Sequence, residues 1–179
     1  MFVGLKLRHV QDMEKVLRSQ VGRLVPGEVP SPDTAAMWQA FDGIERLAAA
    51  AKTLLAQRVE ESRAWARDGD RTAAEHLARS SGGSVGAARS GLETSKRVRG
   101  LAATQAALRR GELSRAQADT IADAASVNPD AEQSLLAAAQ RSSLGELRQR
   151  ANRAKAAADP DPEANPQTYP RRALPAPLE

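Results

Sequence analysis

At 179 residues the chain has room for one domain of ordinary size and a tail, built round a single hydrophobic core. Only 3% of residues are aromatic within a 41% hydrophobic fraction, so small side chains must fill that core, and it stabilises the fold modestly. The absence of cysteine excludes disulfides and thiolate metal sites, and the 26 basic and 22 acidic residues leave a net +4, a weak general attraction to polyanions.

Ala, Leu, Arg, Glu and Gln dominate, and β-branched residues never cluster into alternating runs, so the predicted fold class is all-α. From Leu5 to about Val21 the apolar positions Val10, Met13, Leu17, Val21 and Leu24 recur at steps of three and four, the signature of one helical face. Pro26, Gly27 and Pro30 end it, so residues 1–30 read as a helix and linker. Charge interrupts the first residues too soon for a signal peptide, and no apolar run approaches membrane-spanning length; the expected location is the cytoplasm, with no membrane partner.

Ser31-Pro32-Asp33 has the form of a helix start, with the serine as N-cap. One long helix is predicted over about 33–67, on the order of 50 Å. Its apolar stripe is Trp38, Phe41, Ile44, Ala48, Ala51, Leu55 and Val59, with Leu47, Leu54 and Trp65 alongside. Such a rod needs partners along its length, either the shorter helices that follow or a second chain.

Thr72-Ala-Ala-Glu75 has the form of a capping box opening a short helix, and Ser80 to Ser84 breaks the pattern. Further helices are predicted from Ser84 to about Arg99, Thr104 to Arg110, Ser114 to Ala125, Asp130 to Gln140 and Ser143 to Ala158. The helical domain is thus expected over 31–158 as a multi-helix bundle on the long helix. The proline-rich residues 159–179 are expected to be a disordered tail.

Catalytic chemistry needs converging nucleophiles, bases or metal ligands, and the sequence is poor in them. His9 and His76 have no second histidine at ligand spacing, and Gly82-Gly83-Ser84 lacks the Gly-Lys-Ser/Thr ending of a phosphate loop. The acids of 159–163 sit among prolines, where no packed shell holds them. No active site, metal site, cofactor or small-molecule substrate is expected.

Residues 72–99 carry more. A short helix with Ala74, Leu77 and Ala78, a turn at Gly82, and a helix with Val85, Ala88 and Leu92 have the spacing of a helix-turn-helix. Between residues 84 and 110, Arg89, Lys96, Arg97, Arg99, Arg109 and Arg110 oppose Glu93, a net +5 that exceeds the whole-chain charge. These six are the candidate contacts to double-stranded DNA, with Ser90, Thr94 and Arg89 placed to reach base edges if the second helix enters a major groove. Gly86 and Gly91 weaken that helix, and the same pattern also fits a structural hairpin with a solvated basic face. Arg148, Arg150, Arg153 and Lys155 against Glu146 form a second basic stretch.

Leu54 to Glu61, Ala64 to Gly69, Thr72 to Arg79, Gly82 to Arg89, Leu108 to Gln117 and Ser142 to Arg148, taken in order, resemble the domain of unknown function 222, or 13E12 repeat, family of actinobacteria. The Gly-Glu-Leu-Ser-x-Ala-Gln segment at 111–117 is the most specific of these. In that family the helical region usually precedes an HNH endonuclease, whose metal-binding residues find no match in this sequence. The resemblance therefore implies a non-catalytic accessory module contacting DNA through its basic hairpin. Alternatives are a structural module that self-associates or docks on a nuclease partner through its long helix, and a non-functional truncated copy.

Overall fold

The computed structural model describes residues 4–158, so the predicted tail at 159–179 lies outside the described residues. Among these there are nine α-helices and no strand, as the composition dictates: α1 Leu7–Val21, α2 Ser31–Ser62, α3 Ala64–Arg67, α4 Ala73–Ser81, α5 Val85–Val98, α6 Ala102–Arg109, α7 Arg115–Val127, α8 Glu132–Ala139 and α9 Leu144–Ala158. The chain divides into two compact units, Met1–Asp42 and Gly43–Glu179. The division falls inside α2, not at the end of the linker near residue 30.

In the first unit, α1 stops at Gly22, whose N–H donates to the Arg18 carbonyl at 2.9 Å. The next helix begins at Ser31 itself, one residue before the expected start, and Pro30 supplies the carbonyl that Asp33 N–H and the Thr34 hydroxyl bond. None of the described residues from 4 to 42 is buried. This stretch forms helices without contributing to a core.

The second unit is organised round α7, which packs against α5, α6, α8 and α9. Its main core joins Val98, Leu108, Leu113, Ile121, Leu135 and Leu147 with a bed of alanines, including Ala118, Ala122, Ala124 and Ala125. A second cluster of Ala56, Ala73, Ala74 and Leu92, with Trp65, Leu77 and Ala88 against it, lies under α3, α4 and α5. The single core expected from length is thus a main core with a satellite.

Two expectations about the long helix are corrected. It ends at Ser62, because the Ser62 hydroxyl bonds the Val59 carbonyl at 2.8 Å and accepts Ala64 N–H, while Arg63 takes a left-handed conformation (φ 52°). The Trp65 indole then donates to the Glu60 carbonyl at 3.2 Å, folding the chain back onto the satellite core. The buried side of α2 is Ala50, Thr53 and Ala56, not the stripe through Ile44, Ala48, Ala51 and Leu55. At about 100° per residue these lie on different sides of the helix. Small residues let α2 approach the core closely; Leu54 packs against it, while Ile44, Leu47 and Leu55 stay exposed.

Capping fixes the remaining boundaries. The Thr72 hydroxyl accepts Glu75 N–H at 3.1 Å as expected, but the Glu75 carboxylate reaches past Thr72 to accept Arg71 N–H. The reciprocal box forms instead at Ser114 and Gln117, and the Gln117 amide also donates to the Ala139 carbonyl, tying α7 to the end of α8. Gly111 (φ +70°) closes α6 with Leu47 packed over it, 3.1 Å from where a Cβ would stand.

Before α4, Asp70 accepts two bonds from Arg79, at 3.1 and 2.6 Å, and one from His76 at 2.9 Å. The Arg79 hydrogen bonds hold its carboxyl below the usual range. A depressed native pKa contributes stability above the unfolded pKa that is lost as pH falls through the native one. Asp70→Asn should therefore lower the melting temperature at neutral pH, and the difference from wild type should disappear on acid titration.

Candidate interaction surfaces

The six predicted DNA-contacting cations do not share one surface. Lys96 bridges Glu60 of α2 at 3.1 Å and Glu93 at 3.2 Å, and these bonds raise its pKa. Arg99 meets Glu61 at 2.7 Å and holds that carboxyl below its ordinary value, so both residues face α2. Arg97 points to the other side of α5, onto Asp123 of α7 at 3.1 Å. Arg110 is clamped by Glu112 in the turn after α6, which raises the arginine and lowers the acid. Arg109 bonds Gln105 at 2.9 Å, and Arg89 is exposed without a carboxylate partner among the described residues. Four of the six are paired with carboxylates, Lys96, Arg97 and Arg99 with ones distant in sequence and Arg110 with its near neighbour Glu112.

The hairpin itself forms: Thr72 and Ser84 cap α4 and α5, and Gly82 (φ +66°) allows the turn. Its second helix is packed along one side. Leu92 and Ala88 join the satellite core beneath α4, while Arg115 of α7 crosses Gly91 to donate to the Ala87 carbonyl at 2.9 Å. Gly91, read as a weak point, is where this guanidinium fits. Thr94 is buried with its hydroxyl bonded to the Ser90 carbonyl and to Asp119, so it is not free to reach a base. A recognition helix needs a free face along its length. Here α4 and α7 cover one side of α5, and Gly86, Arg89, Ser90, Glu93, Lys96 and Arg97 remain exposed on the rest.

One cluster joins the two basic stretches that the sequence keeps apart. A cleft of about 260 Å³ between α5, α7 and α9 is lined by Ser90, Arg97, Arg148, Asn152 and Lys155, with Asp119 and Asp123 on its floor. Asp123 holds both Arg97 and Lys155, the latter at 2.8 Å, and Arg148 is left exposed at the rim. His76 lies against Asp70 and Asp68, but no group of three side chains that could hold a metal ion exists among the described residues. Nor is any described helix long and apolar enough to cross a membrane.

Large apolar side chains are exposed in each unit. In the first unit α1 buries nothing, although Val10, Met13, Val16 and Val21 are all well exposed, and Trp38 of α2 is 69% exposed. In the second unit Ile44, Leu47 and Leu55 stand outside on α2, Leu55 at 58%. The signal for the exposed residues of α2 was in the sequence, as the stripe expected to meet either the following helices or a second chain.

No curated protein and no solved structure matches the chain. The family model described as a domain of unknown function matches residues 35–175, so that α1 and the first residues of α2 precede the match. With most of its length covered by that model, the chain belongs to the DUF222 family.

Proposed function

We propose that this chain is a non-catalytic helical interaction module, in which the second unit is the folded platform and the helical segment 4–42 is the docking element. The single observation that carries this reading is that no residue of α1, a 15-residue amphipathic helix, is buried, with Val10, Met13, Val16 and Val21 exposed and Leu17 half-buried. Isolated helices of about that length are marginal in water, and most helical stability in proteins comes from packing an apolar face. Exposed apolar surface of this extent marks interaction sites.

A photo-crosslinking amino acid at Met13, on the apolar face, should give covalent adducts with a protein in living cells, identified by mass spectrometry. The same probe at Ser19, on the opposite face, should not. Equal or absent labelling at the two positions would overturn the reading.

A second reading, contact with duplex DNA, is favoured by the convergence of Arg97, Arg148 and Lys155 on the α5, α7 and α9 cleft. It expects affinity to fall steeply with salt, and Arg89→Glu with Arg97→Glu and Arg148→Glu to flatten the slope by about one per lost phosphate contact. Mobility shifts at two salt concentrations decide it; identical behaviour of wild type and variant removes this surface as the contact.

A further inference from the structure

We infer that the partner of the helical segment is a second copy of this chain, with α1 of each copy packed on the start of α2 of the other. The inference rests on the interaction-module reading above and goes beyond it by naming the occupant.

Charge complementarity within the first unit is the first ground. Residues 5–23 carry Lys6, Arg8, Lys15, Arg18 and Arg23 against Asp12 and Glu14, a net +3. Residues 24–42 carry Glu28 in the linker and Asp33 and Asp42 on α2, and no base, a net −3 of which Asp42 is already partnered. The two acids of α1 are already paired along the helix, Asp12 with Lys15 and Glu14 with Arg18. Its surplus therefore sits on Lys6, Arg8 and Arg23, at the two ends of the helix. Two like copies of either helix would repel; one of each would attract.

Apolar matching is the second ground. On α1, Val10, Met13, Leu17 and Val21 follow steps of three and four; on α2, Trp38, Phe41 and Ile44 follow steps of three, with Met37 beside them. Both stripes have the spacing of helices that pack side by side at a shallow crossing angle. The segment of α2 within the first unit spans about 18 Å and α1 about 22 Å, at 1.5 Å per residue. Yet α1 is not packed along α2 of its own chain. Between them lie Gly22 to Pro30, with a tight turn at Pro26–Glu28 and a second proline at Pro30. A twofold pair of chains satisfies both stripes twice, the self-complementary arrangement that closed dimers require.

Subunit mixing tests the exchange with the full-length chain. Met13→Glu with Leu17→Glu sets acids against the acidic start of α2; Met37→Lys with Trp38→Lys sets bases against the basic α1. Light scattering should give twice the chain mass for wild type and a single chain mass for each double variant. An equimolar mixture of the two variants should recover the doubled mass, because one wild-type pair forms and the other pair joins introduced glutamates to introduced lysines. All substituted positions are outside the cores, so melting of the second unit should not move, which separates lost association from lost folding. A monomeric wild type at high concentration, or a dimer unaffected by either double variant, would overturn the inference. So would two monomeric variants that fail to recover on mixing. Crosslinking from Met13 to a different protein, with a monomeric chain in solution, would leave the interaction-module reading standing and sink only the second copy.

Discussion

Ile121→Ala should lower the free energy of unfolding by about 3 kcal/mol, measured by urea denaturation followed by far-UV circular dichroism. Ile121 is fully buried at the centre of α7, the helix against which α5, α6, α8 and α9 pack. In a core made largely of alanine, each of the few large side chains supplies much of the apolar burial, and the surrounding alanines have no reach with which to fill a void. Both the lost transfer free energy and the residual cavity count against the variant. Domains of this size are stable by only about 5–15 kcal/mol, so the change should be large enough to populate unfolded chain at physiological temperature. A loss below about 1 kcal/mol would mean that α7 is not the centre of packing.

Glu132→Ala should cost about 2 kcal/mol by the same assay, unusual for a glutamate. The N-terminus of α6 has no local cap, since Leu101 precedes it. The Glu132 carboxylate, arriving from the start of α8, accepts Thr104 N–H and the Thr104 hydroxyl, each at 2.8 Å. Thr104 is fully buried, so removing the carboxylate leaves two donors without water or protein to receive them. Glu132→Gln retains one acceptor oxygen and should recover part of the loss. If alanine and glutamine variants melt together with wild type, the cap contributes nothing.

These two sites bear on the function proposed above, because the second unit must hold its shape while the first unit docks. Weakening the α7 core should unfold the platform; altering Met13 or Trp38 should not. The division of labour follows from where burial occurs. Every buried residue among those described lies at Ala50 or beyond, whereas the exposed apolar side chains concentrate from Leu5 to Leu55.

Local chemistry by itself determined the helices of this protein. Strong helix formers, the serine and threonine caps at Thr72, Ser84 and Ser114, and the glycines at Gly82 and Gly111 act within a few residues, so a linear reading finds them. The apolar periodicity of α1 and α2 was equally legible, as was membership of the family from the motifs between Leu54 and Arg148. What periodicity does not carry is which stripe goes inside. On α2 the larger residues made the stronger pattern, but closeness of approach selected Ala50, Thr53 and Ala56, and that selection depends on the shape of the helices opposite.

Electrostatic pairing was likewise decided only in three dimensions. Arg97 finds Asp123 across 26 residues and Arg99 finds Glu61 across 38, so a run that is strongly basic along the chain is largely neutralised in space. At the α5, α7 and α9 cleft packing also brings Arg97, Arg148 and Lys155 together from separate stretches, beside Asp119 and Asp123. Charge in sequence adds up by neighbourhood along the backbone, while Coulomb energy depends on distance through the fold, and only tertiary packing converts the one into the other.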